Sequence, residues 1–244
     1  MKKVLNFVLI ISMILSLGSC SLNDEKNVEK ERTYEIEEIN YLDIDETINK
    51  RINIAYPQIR NLGNDVIEKA VCAQIEAMAL GLLDDFTSLD NIEMDVEYSI
   101  TYASADIISI HFVSEFFGWP MAHPWVRSDS INIWTDTGER FWLTDMLDIN
   151  EKFMASFFDV FEAGREYDSE ETEKFIMEAI KKHPDYLERL ASADGRGYVG
   201  ICGYLTEDSI VISVEVEYAI GSYFLFEASY SDLEEFLKLK QLLR

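Results

Sequence analysis

Cys20 is the residue whose position most directly implies covalent chemistry. It closes the run Met1-Lys2-Lys3, then Val4 to Leu17, then Gly18-Ser19-Cys20. The two lysines form a short basic start, and the segment after them is apolar apart from Asn6, Ser12 and Ser16. That segment is too short to cross a bilayer, which takes about 20 apolar residues, and its length suits a secretory signal peptide over residues 1–19. An ordinary signal ends in a small-x-small cleavage site; this one ends in a cysteine.

Other residue types that do chemistry carry no comparable pattern. His111, His123 and His183 are widely spaced, and neither HExxH nor Cys-x-x-Cys occurs. No zinc ligand set is legible, and no metal or other cofactor is expected. His111 shares a strand face with Ile107, Ser109 and Val113, the setting of a hydrogen-bonded structural histidine. Gly195-Arg196-Gly197-Tyr198-Val199-Gly200 matches GxGxxG, but the loop follows a helical pattern and enters a strand, whereas a dinucleotide site needs strand, loop, helix. There is no GxSxG elbow. With 46 Asp+Glu, paired carboxylates arise at any spacing by chance. Nothing positive points to an enzyme.

Leu17-Gly18-Ser19-Cys20 resembles the lipobox of bacterial lipoproteins. In that family the thiol receives a diacylglyceryl group, the peptidase cuts before the cysteine, and the new amino group is usually acylated. The resemblance implies a mature N-terminus at Cys20, lipid-anchored in the membrane, with an extracytoplasmic domain beyond it. Two or more acyl chains anchor stably, at roughly 0.8 kcal/mol per buried CH₂. Residues 20–34 are polar and charged and read as a tether.

The chain has 244 residues, of which 48% are apolar, enough to bury a core. Its formal net charge is −25, and loss of Lys2 and Lys3 would make it more acidic. Nucleic acid is excluded as a partner, because phosphate binding needs a basic footprint. A cationic protein or peptide would be steered toward the domain; solubility is the other use of such acidity. Beyond Cys20, only Cys72 and Cys202 remain. They could form a disulfide in an oxidising compartment or stay as buried thiols.

Ile52 to Tyr56 reads as a strand that Pro57 ends. Asn64 is an N-cap for a helix over about 65–84, with Ile67, Val71, Ile75, Met78 and Leu82 at helical spacing. Met94 to Tyr102 and Ile108 to Phe116 alternate on either side of Ser104-Ala105-Asp106, a long antiparallel hairpin. A strand at about 130–135 turns through Asp136–Glu139 into Arg140 to Leu143. Helical patterns follow, with Phe153, Phe157 and Phe161 after Asn150, and Phe175, Ala179 and Ile180 after Ser169. Strands return at 210–216 and 224–228, and Ser231-Asp232-Leu233-Glu234 reads as a capping box opening a C-terminal helix. The expected fold is α+β: one antiparallel sheet, including the C-terminal strands, with helices packed on one face, over a single domain of residues 35–244.

Between two of these strands lies Phe116-Phe117-Gly118-Trp119-Pro120-Met121-Ala122-His123-Pro124-Trp125. A segment this apolar either covers core or is a binding surface. Phe116, Phe117, Trp119, His123 and Trp125 are its candidate contact residues.

Taken in order, several stretches resemble an extracytoplasmic family found as the outer domain of RsiV-type anti-sigma factors and beside PdaC-type peptidoglycan deacetylases. They are Ile52–Ile59 leading to Asn64-Asp65-Val66; Gly118 with Ala122-His123-Pro124; Asn132 to Leu147; and Tyr218 and Gly221 leading to Tyr230-Ser231-Asp232-Leu233. The likeness covers roughly residues 51–237. Trp119 stands where the family usually has a second Gly, and Ser229 where it has Pro. The chain shows no anti-sigma segment and no deacetylase domain, so neither activity is carried over. The resemblance implies a sensing or binding domain, in some members for lysozyme. The expectation is a lipid-anchored, non-enzymatic binding domain of the cell envelope that captures a cationic protein such as a lysozyme. A peptidoglycan or glycan binder and an envelope hydrolase are the alternatives.

Overall fold

Alternation of apolar and polar residues, with one buried face, dictates most of the first sheet. In a computed structural model of the chain, the residues described are 34–85, 90–118, 121–163, 170–182, 189–190, 200–216 and 222–240. Residues 1–33, with Cys20 and the expected signal peptide, lie outside them, as do Trp119, His183 and most of the glycine-rich loop. Tyr34, expected as the last residue of the tether 20–34, is instead buried in the core, 2% exposed, with its hydroxyl donating to the Ile107 carbonyl.

The sheet runs β1 (Glu35–Asp45), β2 (Lys50–Arg60), β3 (Ile92–Ala103), β4 (Ile107–Gly118), β5 (Trp125–Trp134) and β6 (Arg140–Phe141), in that spatial order. All neighbours are antiparallel except β2 and β3. The parallel pair follows from the crossover through α1 (Asp65–Leu80), since parallel strands need such a connection. Asn64 caps α1 as expected, its side chain accepting from the amides of Val66 and Ile67, and a 3₁₀ turn, Gly81–Asp85, extends it. Val71, Cys72, Ile75 and Ala79 bury one helix face against Ile52, Ile54, Met94 and Ile110.

One local expectation for this half fails, and one strand was not expected. The strand continues through Pro57, which pairs with Glu38 of β1. On its other side β2 meets β3 only over Arg51–Ile54, so no ladder there needs the missing N–H. β1 itself is absent from the sequence reading. It is an edge strand whose residues are all half-buried or exposed, so its apolar residues do not stand out against its acids.

The C-terminal strands do not join this sheet. They form a second one, β7 (Glu162–Ala163), β10 (Tyr223–Ser229), β9 (Ser209–Glu215) and β8 (Ile201–Leu205), in the order β7-β10-β9-β8. The reason is burial on two faces. Tyr204, Val211 and Leu225 cluster with Val126 of β5. Phe226, on the opposite face of β10, meets Phe157 of α3 (Glu151–Val160) at 4.9 Å. The molecule is therefore α+β, with a helix layer outside each of two sheets. Gly203 lets the second sheet approach α2 (Leu143–Met146), because a Cβ there would lie 2.7 Å from Leu143 Cδ1.

Polar groups between the sheets are matched. Ser130 Oγ and Asn132 Nδ2 each donate to the Gly203 carbonyl at 2.8 Å. The Leu205 amide donates to Ser109 Oγ, whose hydroxyl donates to Asn132 Oδ1. The expected C-terminal helix is replaced by turns over 230–236. Leu233, Phe236, Leu237 and Leu239 are all buried there, and the Lys238 amide donates to the Met146 carbonyl. Leu233, Phe236 and Leu237 keep the i, i+3, i+4 spacing of a helical stripe, but Leu239 falls off it and is buried as well. In α4 (Glu170–Lys182), Ile176 and Ile180 are buried while Phe175, expected on the packed face, is 63% exposed. Cys72 and Cys202 are both free thiols. They sit on opposite sides of the first sheet, one on α1 and one on β8, which no disulfide can span.

Candidate binding surface at the end of the β4–β5 hairpin

Successive residues of a strand point to opposite faces, and this divides the aromatic segment. Phe116 is 2% exposed, belongs to the core against α1 and meets Trp125 edge-on at 4.6 Å. It supports the surface rather than forming it. Phe117, the next residue, faces the other way and is 43% exposed. Trp125 pairs with Phe116 in the register and is 38% exposed on that side. His123 is exposed in the connection, where the Met121 amide closes a turn on the Gly118 carbonyl. Trp119 lies outside the described residues. The structure thus brings Phe117 and Trp125 to one end of the molecule, on opposite faces of the hairpin.

Register sets what surrounds Phe117. Glu93 pairs with Phe117, Arg51 with Glu93, and Ile44 with Arg51. The next row on the same face is Leu42, Asn53, Asp95, Glu115 and Val126. Leu42 and Ile44 are each 55% exposed. This outer face therefore carries Leu42, Ile44 and Phe117 with Glu93, Asp95, Glu97 and Glu115 between and beside them. Arg51 is hydrogen-bonded to Glu93 and to Asp95, the latter at 3.0 Å, and Asn53 Nδ2 also donates to Asp95. Sequence reasoning missed Leu42 and Ile44 because it missed β1; the signal available was the alternation Leu42-Asp43-Ile44.

Beside Phe117 opens a cleft of about 650 Å³, lined by Asn49, Arg51, Asn91, Ile92, Glu93 and Phe117. Asn49 and Asn91 both adopt left-handed backbone, φ 50° and 54°, a conformation asparagine tolerates in turns. Two amides, a guanidinium, a carboxylate and an aromatic face are groups that hold polar ligands or protein side chains.

His111 stays structural, as its strand position implies. Its Nε2 lies 2.8 Å from Ser128 Oγ and its ring stacks on Tyr204 at 4.5 Å. A Ser–His contact can serve nucleophilic catalysis, but here the histidine is 8% exposed between the sheets. The cavity that Ser128 lines holds about 10 Å³, roughly one water. Among the described residues no group of acids, histidines or cysteines has metal-binding geometry. No helix among them is long and apolar enough to cross a membrane.

No protein-family model matches the chain, and no curated protein matches it in sequence. Among solved structures, it is similar to a DUF3298 family member from Bacteroides fragilis NCTC 9343, with 14% identity and a TM-score of 0.51 over 85% of this chain and 95% of that one. A DUF3298 family protein from Pseudomonas aeruginosa PAO1 is also similar, with 14% identity and a TM-score of 0.45 over 87% and 97%. At such identity the Bacteroides likeness speaks to the fold.

Proposed function

We propose that the chain is a lipid-anchored, non-enzymatic binding domain of the bacterial cell envelope, and that its outer sheet face captures a cationic protein such as a lysozyme. The observation that carries this reading is the row Ile44, Arg51, Glu93, Phe117, continued by Leu42, Asp95 and Glu115. Exposed apolar anchors ringed by acids match what a cationic partner needs: steering from the charges and affinity from the buried anchors. A net charge of −25 extends the steering over the whole molecule. The likeness to a DUF3298 structure supports the RsiV-like, PdaC-like resemblance, since those domains are related. Leu17-Gly18-Ser19-Cys20 supports the anchor.

The test is titration of the protein with hen-type lysozyme at rising ionic strength. Affinity should fall steeply with salt, as exposed charges are screened beyond about 10 Å at 0.1 M, and should fall further in Glu93→Lys. Salt-independent binding, or none, would sink the reading.

A second reading has its own observation. The cleft at Phe117 joins an aromatic face to Asn49, Asn91 and Arg51, the groups that bind sugars. Peptidoglycan fragments that bind regardless of salt, and release on Phe117→Ala, would favour it. Turnover of cell-wall substrate would favour a hydrolase over both.

A further inference from the structure

Arg140 is anomalous in so acidic a chain. Its Cζ lies 4.0 Å over the Trp142 ring, and its Nε is buried without a hydrogen-bond partner among the described residues. None of the described carboxylates forms an ion pair with it. Asp129 attracts it, but that carboxylate is held by Arg127, whose Nε and Nη2 approach its two oxygens at 2.7 and 3.1 Å. Arg140 as a whole is half-buried, and a buried polar atom such as its Nε is nearly always paired. Burial lowers the Arg140 pKa, yet an arginine stays charged at neutral pH.

Both arginines open into one cleft of about 440 Å³, on the opposite side of the first sheet from Phe117. Arg127 lies on the face of β5 that carries Ile131 and Ile133 toward α1, and Arg140 pairs with Ile133. The rim opposite is Gln74, Ala77, Met78, Gly81 and Leu82, from α1 and its 3₁₀ extension. β6 pairs with β5 only at Asn132 and Ile133.

We propose that this cleft binds a small monocarboxylate carrying an apolar group. Arg140 is the principal partner of the carboxylate, and Arg127, shared with Asp129, is the second. A planar guanidinium fork matches a carboxylate in two parallel hydrogen bonds. Met78, Leu82 and Ala77 supply the apolar wall, and the volume suits a small molecule. A multiply charged phosphate is disfavoured by the surplus of acids over the rest of the chain. The carboxylate could end a peptide or belong to a free acid, and both carry the same recognition chemistry.

The test is calorimetric titration of the full chain with N-acetyl-leucine and with isocaproate, against isocaproamide and inorganic phosphate. At least one acid should bind, the neutral amide at least about tenfold more weakly, and phosphate more weakly than the acid. The tighter of the two acids identifies the source, peptide terminus or free acid. Arg140→Gln should abolish binding, and Arg140→Lys, which keeps charge but loses the fork, should weaken it by about tenfold. Thermal unfolding midpoints check that the variants fold; should Arg140→Gln fail, Arg140→Lys and the amide comparison decide. Equal affinity for acid and amide, tighter binding of phosphate, undiminished binding by Arg140→Lys, or no binding of either acid overturns the proposal.

Discussion

Glu93 and Phe117 stand opposite one another across the β3–β4 ladder, the carboxylate and the ring sharing the outer face of the first sheet. Phe116, one residue earlier, is opposite Met94 and is sealed beneath α1. A single peptide step therefore separates a surface contact from a core residue.

The pair Phe116 and Phe117 should behave as opposites. Phe117→Ala should leave folding stability nearly unchanged and weaken lysozyme binding by about 1–3 kcal/mol if the ring is an anchor. Phe116→Ala should cost about 3–5 kcal/mol of stability through its cavity. Denaturant titration and calorimetric binding, run on both variants, read the two effects apart. Equal binding by Phe117→Ala and the parent protein would remove the ring from the interface.

Much of this was legible in the sequence, for a physical reason. Asn64, the α1 stripe, the turn at Ser104–Asp106 and the return at Arg140 all rest on local signals: a cap, a period of 3.6, a period of 2. What escaped was set by distant partners. Ile107 to Phe112 are buried on both faces because a second sheet covers the side that alternation would leave to solvent. β1 carries its acids into the ladder, and its exposed Leu42 and Ile44 matter only because β2 aligns them with Asn53 and Arg51. The aromatic segment was recognised as unusual, but only register separates Phe116 from Phe117. Arg127 and Asp129 pair locally, two residues apart on one face of β5, in a part of the strand that the reading from about residue 130 left out. The opening of Arg140 into the same cleft depends on α1 and has no sequence signature.

Cys20 carries the anchoring proposal. Cys20→Ser should abolish labelling by a fatty-acid probe and shift the protein from the membrane fraction to the soluble one. Two or more acyl chains make anchoring stable, so their loss should be all-or-none on the timescale of fractionation. Retention in the membrane with continued labelling would refute lipidation at this residue.

Alkaline pH should destabilise the fold through its tyrosines. Tyr98 is raised from 10.0 to about 12, chiefly by burial and then by the nearby charge of Glu38, whose carboxylate its hydroxyl meets at 3.4 Å. A folded-state pKa above the unfolded one stabilises fully below pH 10.0, and this contribution is lost as pH rises toward about 12. Burial raises Tyr56 and Tyr230 in the same direction. Urea midpoints should fall over this window, with tyrosinate absorbance rising as the chain unfolds. In Tyr98→Phe the fall should be shallower; an identical pH profile would exclude Tyr98 as a contributor.

The two sheets should unfold together. Their contact is not only apolar: the Gly203 carbonyl accepts from both Ser130 and Asn132, and Ser109 links Asn132 to the Leu205 amide. Separating the sheets would exchange these hydrogen bonds for bonds to water, at about 0.5–1.5 kcal/mol each, besides exposing Tyr204, Val211 and Leu225. Calorimetry should therefore show one transition, with equal calorimetric and van't Hoff enthalpies. Asn132→Ala removes one donor to Gly203 and the acceptor for Ser109, and should lower stability by about 1–3 kcal/mol while keeping the transition single. Two resolved transitions in the parent protein, one for each sheet, would show that the cores around α1 and around α3 are independent units.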